Sequence, residues 1–194
     1  MNITVYLGAS EVDNLSLNSA ATELGQWIGS TGHTLVYGGS KMGLMGRLAT
    51  GAINAGGHVI GVEPQMFMDD ELQLDILPEL IVTTDMAERK LKMIELGDAF
   101  IAFPGGTGTL EEISEVMSAL SLGLIDSKCI FYNLDGYYDH MKAHLNNMLE
   151  YGLSTPSRLA KVYFASDLPR NRKKTEQVFS TLMSEWEELM RLIP

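Results

Sequence analysis

The chain has 194 residues, 45% of them hydrophobic and 20% charged, with a formal net charge of −11. That balance fits one soluble globular domain spanning 1–194, and no apolar run reaches the length of a membrane helix. The acidic excess disfavours nucleic acid as a partner, and a single cysteine, Cys129, excludes an internal disulfide and agrees with a cytoplasmic location.

Residues 3–9 read as a first strand, without the basic start of a signal peptide. A helix is predicted over 15–30, with Leu17, Ala20, Ala21, Leu24, Trp27 and Ile28 on one face. A second strand, 34–37, breaks at Gly38-Gly39-Ser40, and a helix then runs through Leu44 to about Asn54. A third strand covers 58–62. The stretch 63–77 reads as irregular and acidic, with Glu63, Asp69, Asp70, Glu71 and Asp75. A short strand at 79–82 precedes a helix over 85–96 that Asp85 would cap. A strand at 98–103, a helix at 107–122, a strand at 128–132 and a helix at 137–150 follow, then a short strand at 161–164. The last helix carries Phe179, Leu182, Met183, Trp186, Leu189 and Met190 at helical spacing, a core or subunit-contact pattern. Arg170, Arg172, Lys173 and Lys174 ahead of it read as a solvated helix start, and Cys129 reads as a buried strand thiol.

Strands alternating with helices, and strands that are nearly all apolar, predict an α/β fold. It is a doubly wound, Rossmann-like, mostly parallel sheet with helices on both faces. Such sheets bind ligands at the carboxyl ends of their strands, near the topological switch point. Three glycine-bearing loops fall there: Gly8-Ala9-Ser10, Gly38-Gly39-Ser40 and residues 104–109. Ser10 is thereby a candidate ligand contact.

The most informative segment is Pro104-Gly105-Gly106-Thr107-Gly108-Thr109-Leu110-Glu111-Glu112, directly after the apolar run 99–103. Its glycines let main-chain N–H groups turn toward a ligand, and the helix start that follows suits a phosphate. Gly105, Gly106, Thr107, Gly108 and Thr109 are the candidate donors. A phosphate does not need Glu111 and Glu112, which would repel it at close range. The segment therefore suits a ligand with an anionic end and a polar or cation-developing part beside it, as in a nucleoside monophosphate. Glu112 and Glu115 are neighbours on one helical face. Carboxylates next to a sugar would stabilise an oxocarbenium-like transition state or activate water.

The loop from Tyr37 to Gly46 matches neither the Gly-x-Gly-x-x-Gly dinucleotide fingerprint nor a Walker loop, and Lys41, not preceded by glycine, has no P-loop role. Gly43 and Gly46 serve either tight turns or, for Gly43, a ligand. Arg89 and Lys90 lie about 100° apart around their helix, so they can flank one pocket. Arg89 shares an otherwise apolar stripe with Met93, which points it toward a cleft, where arginine makes two-point contacts with phosphate or carboxylate. His140 and His144, four apart, lack a third ligand and make a poor metal site.

On these residues the chain resembles the Lonely Guy (LOG) family of cytokinin riboside 5′-monophosphate phosphoribohydrolases, once mislabelled lysine decarboxylases. The resemblance covers roughly residues 3–150. It rests on Pro-Gly-Gly-x-Gly-Thr-x-x-Glu at 104–112 and Met-x-x-Arg-Lys at 86–90. Gly-Leu-Met-Gly at 43–46 and Asn133-Leu134-Asp135-Gly136-Tyr137-Tyr138 add to it. It implies hydrolysis of the N-glycosidic bond of a nucleoside 5′-monophosphate to free base and ribose 5-phosphate, with no metal or organic cofactor, by a homodimer. It places the catalytic arginine on Arg89 and the catalytic glutamate on Glu112. Glu71, Met86, Lys90, Gly105, Gly106, Thr107, Gly108, Thr109, Glu111, Ser10 and Gly43 would bind substrate. Thr107, Ala119 and Ser121 stand where the plant-like pattern has tyrosine, tryptophan and glutamine, a difference that falls on the base pocket. Two other functions compete: a nucleotide or cofactor carrier without turnover, and a pyridoxal phosphate decarboxylase. The carrier would not need Arg89 and Glu112 together. The decarboxylase would need a Schiff-base lysine, and only Lys41 and Lys90 lie near the glycine loops, neither with an evident pyridinium partner.

Overall fold

A computed structural model of the chain describes residues 1–70, 73–74 and 76–168. The expected substrate contact Glu71, the acidic Asp75, the basic cluster 170–174 and the final amphipathic helix lie outside the described residues.

The chain runs β1 (Asn2–Tyr6), α1 (Leu15–Ser30), β2 (Thr34–Tyr37), α2 (Gly43–Asn54), β3 (His58–Pro64), β4 (Glu79–Thr83) and α3 (Met86–Leu96). It continues through β5 (Ala99–Ala102), α4 (Thr107–Ser121), β6 (Lys128–Tyr132), α5 (Asp139–Glu150), the single turn α6 (Pro156–Leu159) and β7 (Val162–Ala165). The seven strands of the described residues are parallel, in the order β4-β3-β2-β1-β5-β6-β7. Parallel strands with helical crossovers bury both faces of the sheet, which is why the strands read as apolar throughout. One face holds Val5, Leu35 and Val59 under Leu24 and Ile28 of α1 and Leu48 of α2. The other holds Val36, Phe100, Cys129 and Phe131 under Met93 of α3, Ile113 and Val116 of α4 and Leu145 of α5. Cys129 is fully buried, as its apolar run predicts.

From β1 the chain winds outward to β4, then returns to place β5 on the other side of β1. The switch point is therefore the β1–β5 junction, where Tyr6 pairs with Ala102. The Phe103 N–H donates to the Tyr6 carbonyl at 2.9 Å, the last rung of that ladder. Past it the two chains separate, so β1 stops at Tyr6 and residues 7–9, expected in the strand, belong to the loop. The helix expected from 137 begins at Asp139. A turn with left-handed Asp135 (φ 52°) and Gly136 (φ 75°) precedes it. β3 runs two residues further than expected, because Glu63 and Pro64 stay in register with Val82 and Thr83 of β4. Residues 65–70 form a 3₁₀ segment inside the stretch read as irregular, and Gln73 bridges to Ser40. The single turn α6 was not anticipated from the sequence; it starts on Pro156, a residue suited to a first helical position.

Candidate active site

The three glycine loops meet at the carboxyl edge of the sheet. Gly43 opens α2 with φ +52°, and a Cβ there would stand 2.2 Å from the Ser10 carbonyl and 2.4 Å from that of Ala9. Only glycine allows both the left-handed backbone and this approach, so Gly43 is fixed by packing. Its N–H donates to Glu11 Oε1 at 3.0 Å, and Glu11 in turn lies 3.7 Å from Arg47. The structure thus brings Ser10 and Gly43 together, with the Gly43 N–H turned toward Glu11. Gly105 also packs against the first loop: a Cβ on it would be 3.0 Å from the Gly8 nitrogen, and 2.2 Å from Thr109 Oγ1 of its own segment.

α4 starts directly at this junction. Gly106 is its N-cap, no side chain caps it, and Thr107, Gly108 and Thr109 form its first turn. The first four N–H groups of a helix have no partner within it, and the helix dipole adds positive potential there. Thr107 and Gly108 are exposed, whereas Thr109 is buried. Residues 106–109 therefore present main-chain N–H donors that no side chain caps.

Beneath the loops lies a buried ion pair. Asp85 caps α3, accepting from the Ala87 and Glu88 N–H groups at 2.9 Å, as the sequence predicts. The helix then directs Arg89 and Met93 inward. Arg89 Nη1 donates to Glu112 Oε1 at 2.7 Å and Arg89 Nε donates to the Val62 carbonyl at 3.1 Å. Both side chains are nearly solvent-free, 7% exposed for Arg89 and 6% for Glu112. A side chain at Gly38 would collide with the guanidinium, its Cβ falling 2.4 Å from Nη2. Burial raises the Glu112 carboxyl above its ordinary value, and the Arg89 guanidinium pulls against that shift. Tyr6, beside the pair on β1, is also pushed up, by burial first and Glu112 second.

The other expected pairings divide differently. Glu112 and Glu115, read as two carboxylates on one face, take separate partners. Lys90, expected to help hold substrate, spans from Glu111 at 2.7 Å to Glu115 at 3.2 Å. These two acids raise the Lys90 ammonium above its ordinary value, Glu111 first. The lysine therefore ties α3 to α4 beside the buried pair, and Glu111 is its partner. Met86 stands at the first position of α3, half-buried. His140 and His144 are both exposed on α5.

One residue of this neighbourhood was missed. Glu63 was counted with the acidic stretch, yet it ends β3 and is only 2% exposed. Its Oε2 has no hydrogen-bond partner among the described residues. A Cβ on Gly39 would stand 3.1 Å from that oxygen. Burial pushes the Glu63 carboxyl up to about 6, against the pull of Arg89. The available signal was its position as the lone acid closing the apolar run 58–62.

A family model described as possible lysine decarboxylase matches residues 45–173. The chain is 37% identical to cytokinin riboside 5′-monophosphate phosphoribohydrolase LOG1 of Arabidopsis thaliana, over 90% of this chain and 82% of that protein. It is 39% identical to the cytokinin riboside 5′-monophosphate phosphoribohydrolase of Rhodococcoides fascians, over 86% and 85% of the two chains. Among solved structures, the molybdenum cofactor binding protein of Rippkaea orientalis aligns with a TM-score of 0.67 at 24% identity, covering 94% of this chain and 96% of that one. A Moco carrier protein from Chlamydomonas reinhardtii aligns with the same TM-score at 22% identity, covering 93% and 98%. At those identities the structural likeness is one of fold.

Proposed function

The chain belongs to the Lonely Guy family, whose family model is described as possible lysine decarboxylase, and on that premise we propose that it is a nucleoside 5′-monophosphate phosphoribohydrolase. The substrate class we infer is purine nucleoside 5′-monophosphates, including the cytokinin riboside 5′-monophosphates for which its relatives are named. The observation that carries this reading is the buried Arg89–Glu112 pair, 2.7 Å apart, next to a helix start without a side-chain cap. An anion site alone would serve a carrier. A buried acid beside it has a use in glycosidic chemistry.

In this reading the first-turn N–H groups of α4 hold the 5′-phosphate, and Glu112 faces the anomeric carbon. The C1′–N bond breaks with its electron pair leaving on the base, and positive charge develops on C1′ and the ring oxygen. Glu112, oriented by Arg89, whose guanidinium favours the carboxylate form against burial, stabilises that charge. Water then forms the new C1′–O bond, and its proton ends on the departing base. Burial makes the electrostatic contribution large, because little solvent screens it.

The test is a panel of nucleoside monophosphates, AMP and an N6-prenylated analogue among them, incubated with purified protein and assayed for free base and ribose 5-phosphate. Equal amounts of the two products are expected. A nucleotide that binds and is recovered intact across the whole panel would favour a carrier and overturn the proposal.

A further inference from the structure

The two tyrosines that end the turn before α5 reach back, from a different part of the chain, to the loop before α4. Tyr138, buried, donates its hydroxyl to the Phe103 carbonyl at 2.9 Å. Tyr137, half exposed, donates its hydroxyl to the Gly105 carbonyl at 2.6 Å. The turn holds them rigidly. The Tyr138 N–H donates to Asn133 Oδ1 at 2.6 Å, and Asn133 Nδ2 donates to Asp139 Oδ1 at 2.8 Å. The two rings meet edge to face, 4.9 Å apart, and Tyr138 makes the same contact with Phe131.

We propose that Tyr137 is a positioning residue for the phosphate site, acting through the Gly105–Gly106 peptide. A trans peptide points its C=O and its N–H in opposite directions, and the described chain has no cis bond. Anchoring the Gly105 carbonyl to Tyr137 turns the Gly106 N–H away from the tyrosine, where it joins the free N–H groups of the first turn of α4. Between two glycines that peptide would otherwise flip at little cost. Fixing it in advance removes an ordering cost from anion binding. Tyr138 anchors the Phe103 carbonyl two residues earlier, so the two hydroxyls pin the chain on either side of Pro104.

The inference rests on the phosphoribohydrolase reading for its ligand, and its test separates the two. Tyr137→Phe in the full chain keeps the ring and removes the bond. Ribose 5-phosphate should bind about 3–10-fold more weakly by calorimetry, the loss expected for one hydrogen bond. KM for AMP should rise by the same factor with kcat unchanged, and adenine should inhibit both proteins equally. Ribose 5-phosphate binding that is the same in both proteins would overturn the role of Tyr137. So would a parallel loss for adenine, because that signals a general structural effect. A wild-type protein that binds ribose 5-phosphate and cleaves no nucleotide would refute the catalytic reading and leave the Tyr137 comparison decisive.

Discussion

Replacing Glu112 by glutamine keeps the shape of the buried pair and removes one charge from it. The amide oxygen can still accept from Arg89 Nη1, now 2.7 Å from the carboxylate, so the guanidinium keeps a partner. What disappears is the negative charge proposed to face the anomeric carbon. A unit charge about 4 Å from a developing cation, at an effective dielectric constant of about 20, is worth about 4 kcal/mol. At about 1.4 kcal/mol per decade that is roughly a thousandfold in kcat. Phosphate binding at α4 should be unimpaired, since Glu112 repels rather than attracts that end of the substrate. The expected result is adenine release slowed about 10³-fold with AMP affinity by calorimetry equal to or better than wild type. Folding is checked separately by Tm, because an unpaired buried charge can destabilise strongly. Adenine release within about tenfold of wild type, from a folded variant, would refute the electrostatic argument.

Arg89→Lys cannot keep both the Glu112 and Val62 contacts with one ammonium; kcat/KM should fall about 10²-fold through lost positioning, and an active variant with normal kinetics would contradict the two-point role. Glu63→Gln tests the cost of a buried carboxylate. Because its folded value sits at about 6 instead of 4.5, the folded state holds this proton longer than the unfolded chain. The Glu63 contribution to stability is therefore greatest below about 4.5 and is lost as pH rises through about 6. Over that window the loss is roughly 2 kcal/mol. Thermal melts should show Glu63→Gln more stable than wild type at pH 8, with the gap closing by pH 5; a variant less stable at pH 8 would reject the desolvation account. Gly43→Ala places a methyl 2.2 Å from the Ser10 carbonyl at φ +52°, so Tm should drop by more than about 4 °C for a loss above about 2 kcal/mol.

Local patterns were legible where one chemical rule governs them. α1 is found at the predicted 15–30 because its apolar face marks it, and the structure adds Asn14 as its cap. Asp85 caps α3 and Arg89 turns inward with Met93, as the apolar stripe implied. What the sequence hid was decided by partners distant along the chain. Lys90 reads as free to meet a phosphate until α4 sets Glu111 and Glu115 against it, about 20 residues further on. Glu63 reads as loop acid because nothing local says that β4 pairs beside it and extends β3. The bond from Tyr137 to Gly105 spans 32 residues, beyond any periodicity argument.

The charge arrangement itself argues against a purely structural role for this cluster. Glu63 and Glu112 are two nearly solvent-free carboxylates near one guanidinium. When both carboxyls are ionised, the group carries a net negative charge in the interior. A buried ion pair rarely improves on apolar packing, and an extra carboxylate makes the balance worse. Such an excess is relieved when positive charge appears next to it. An oxocarbenium-like sugar supplies that charge only in the transition state, so the electrostatic gain is withheld from the ground state, where it would merely tighten binding. In the proposed reading the phosphate's negative charge is met separately, by the uncapped first turn of α4. On this argument, neutralising Glu63 lowers the excess, stabilises the fold and weakens the field on the sugar. Glu63→Gln should therefore gain Tm at pH 8 and lose kcat in the same sample. A variant that gains both would show that the buried charge serves no catalytic end.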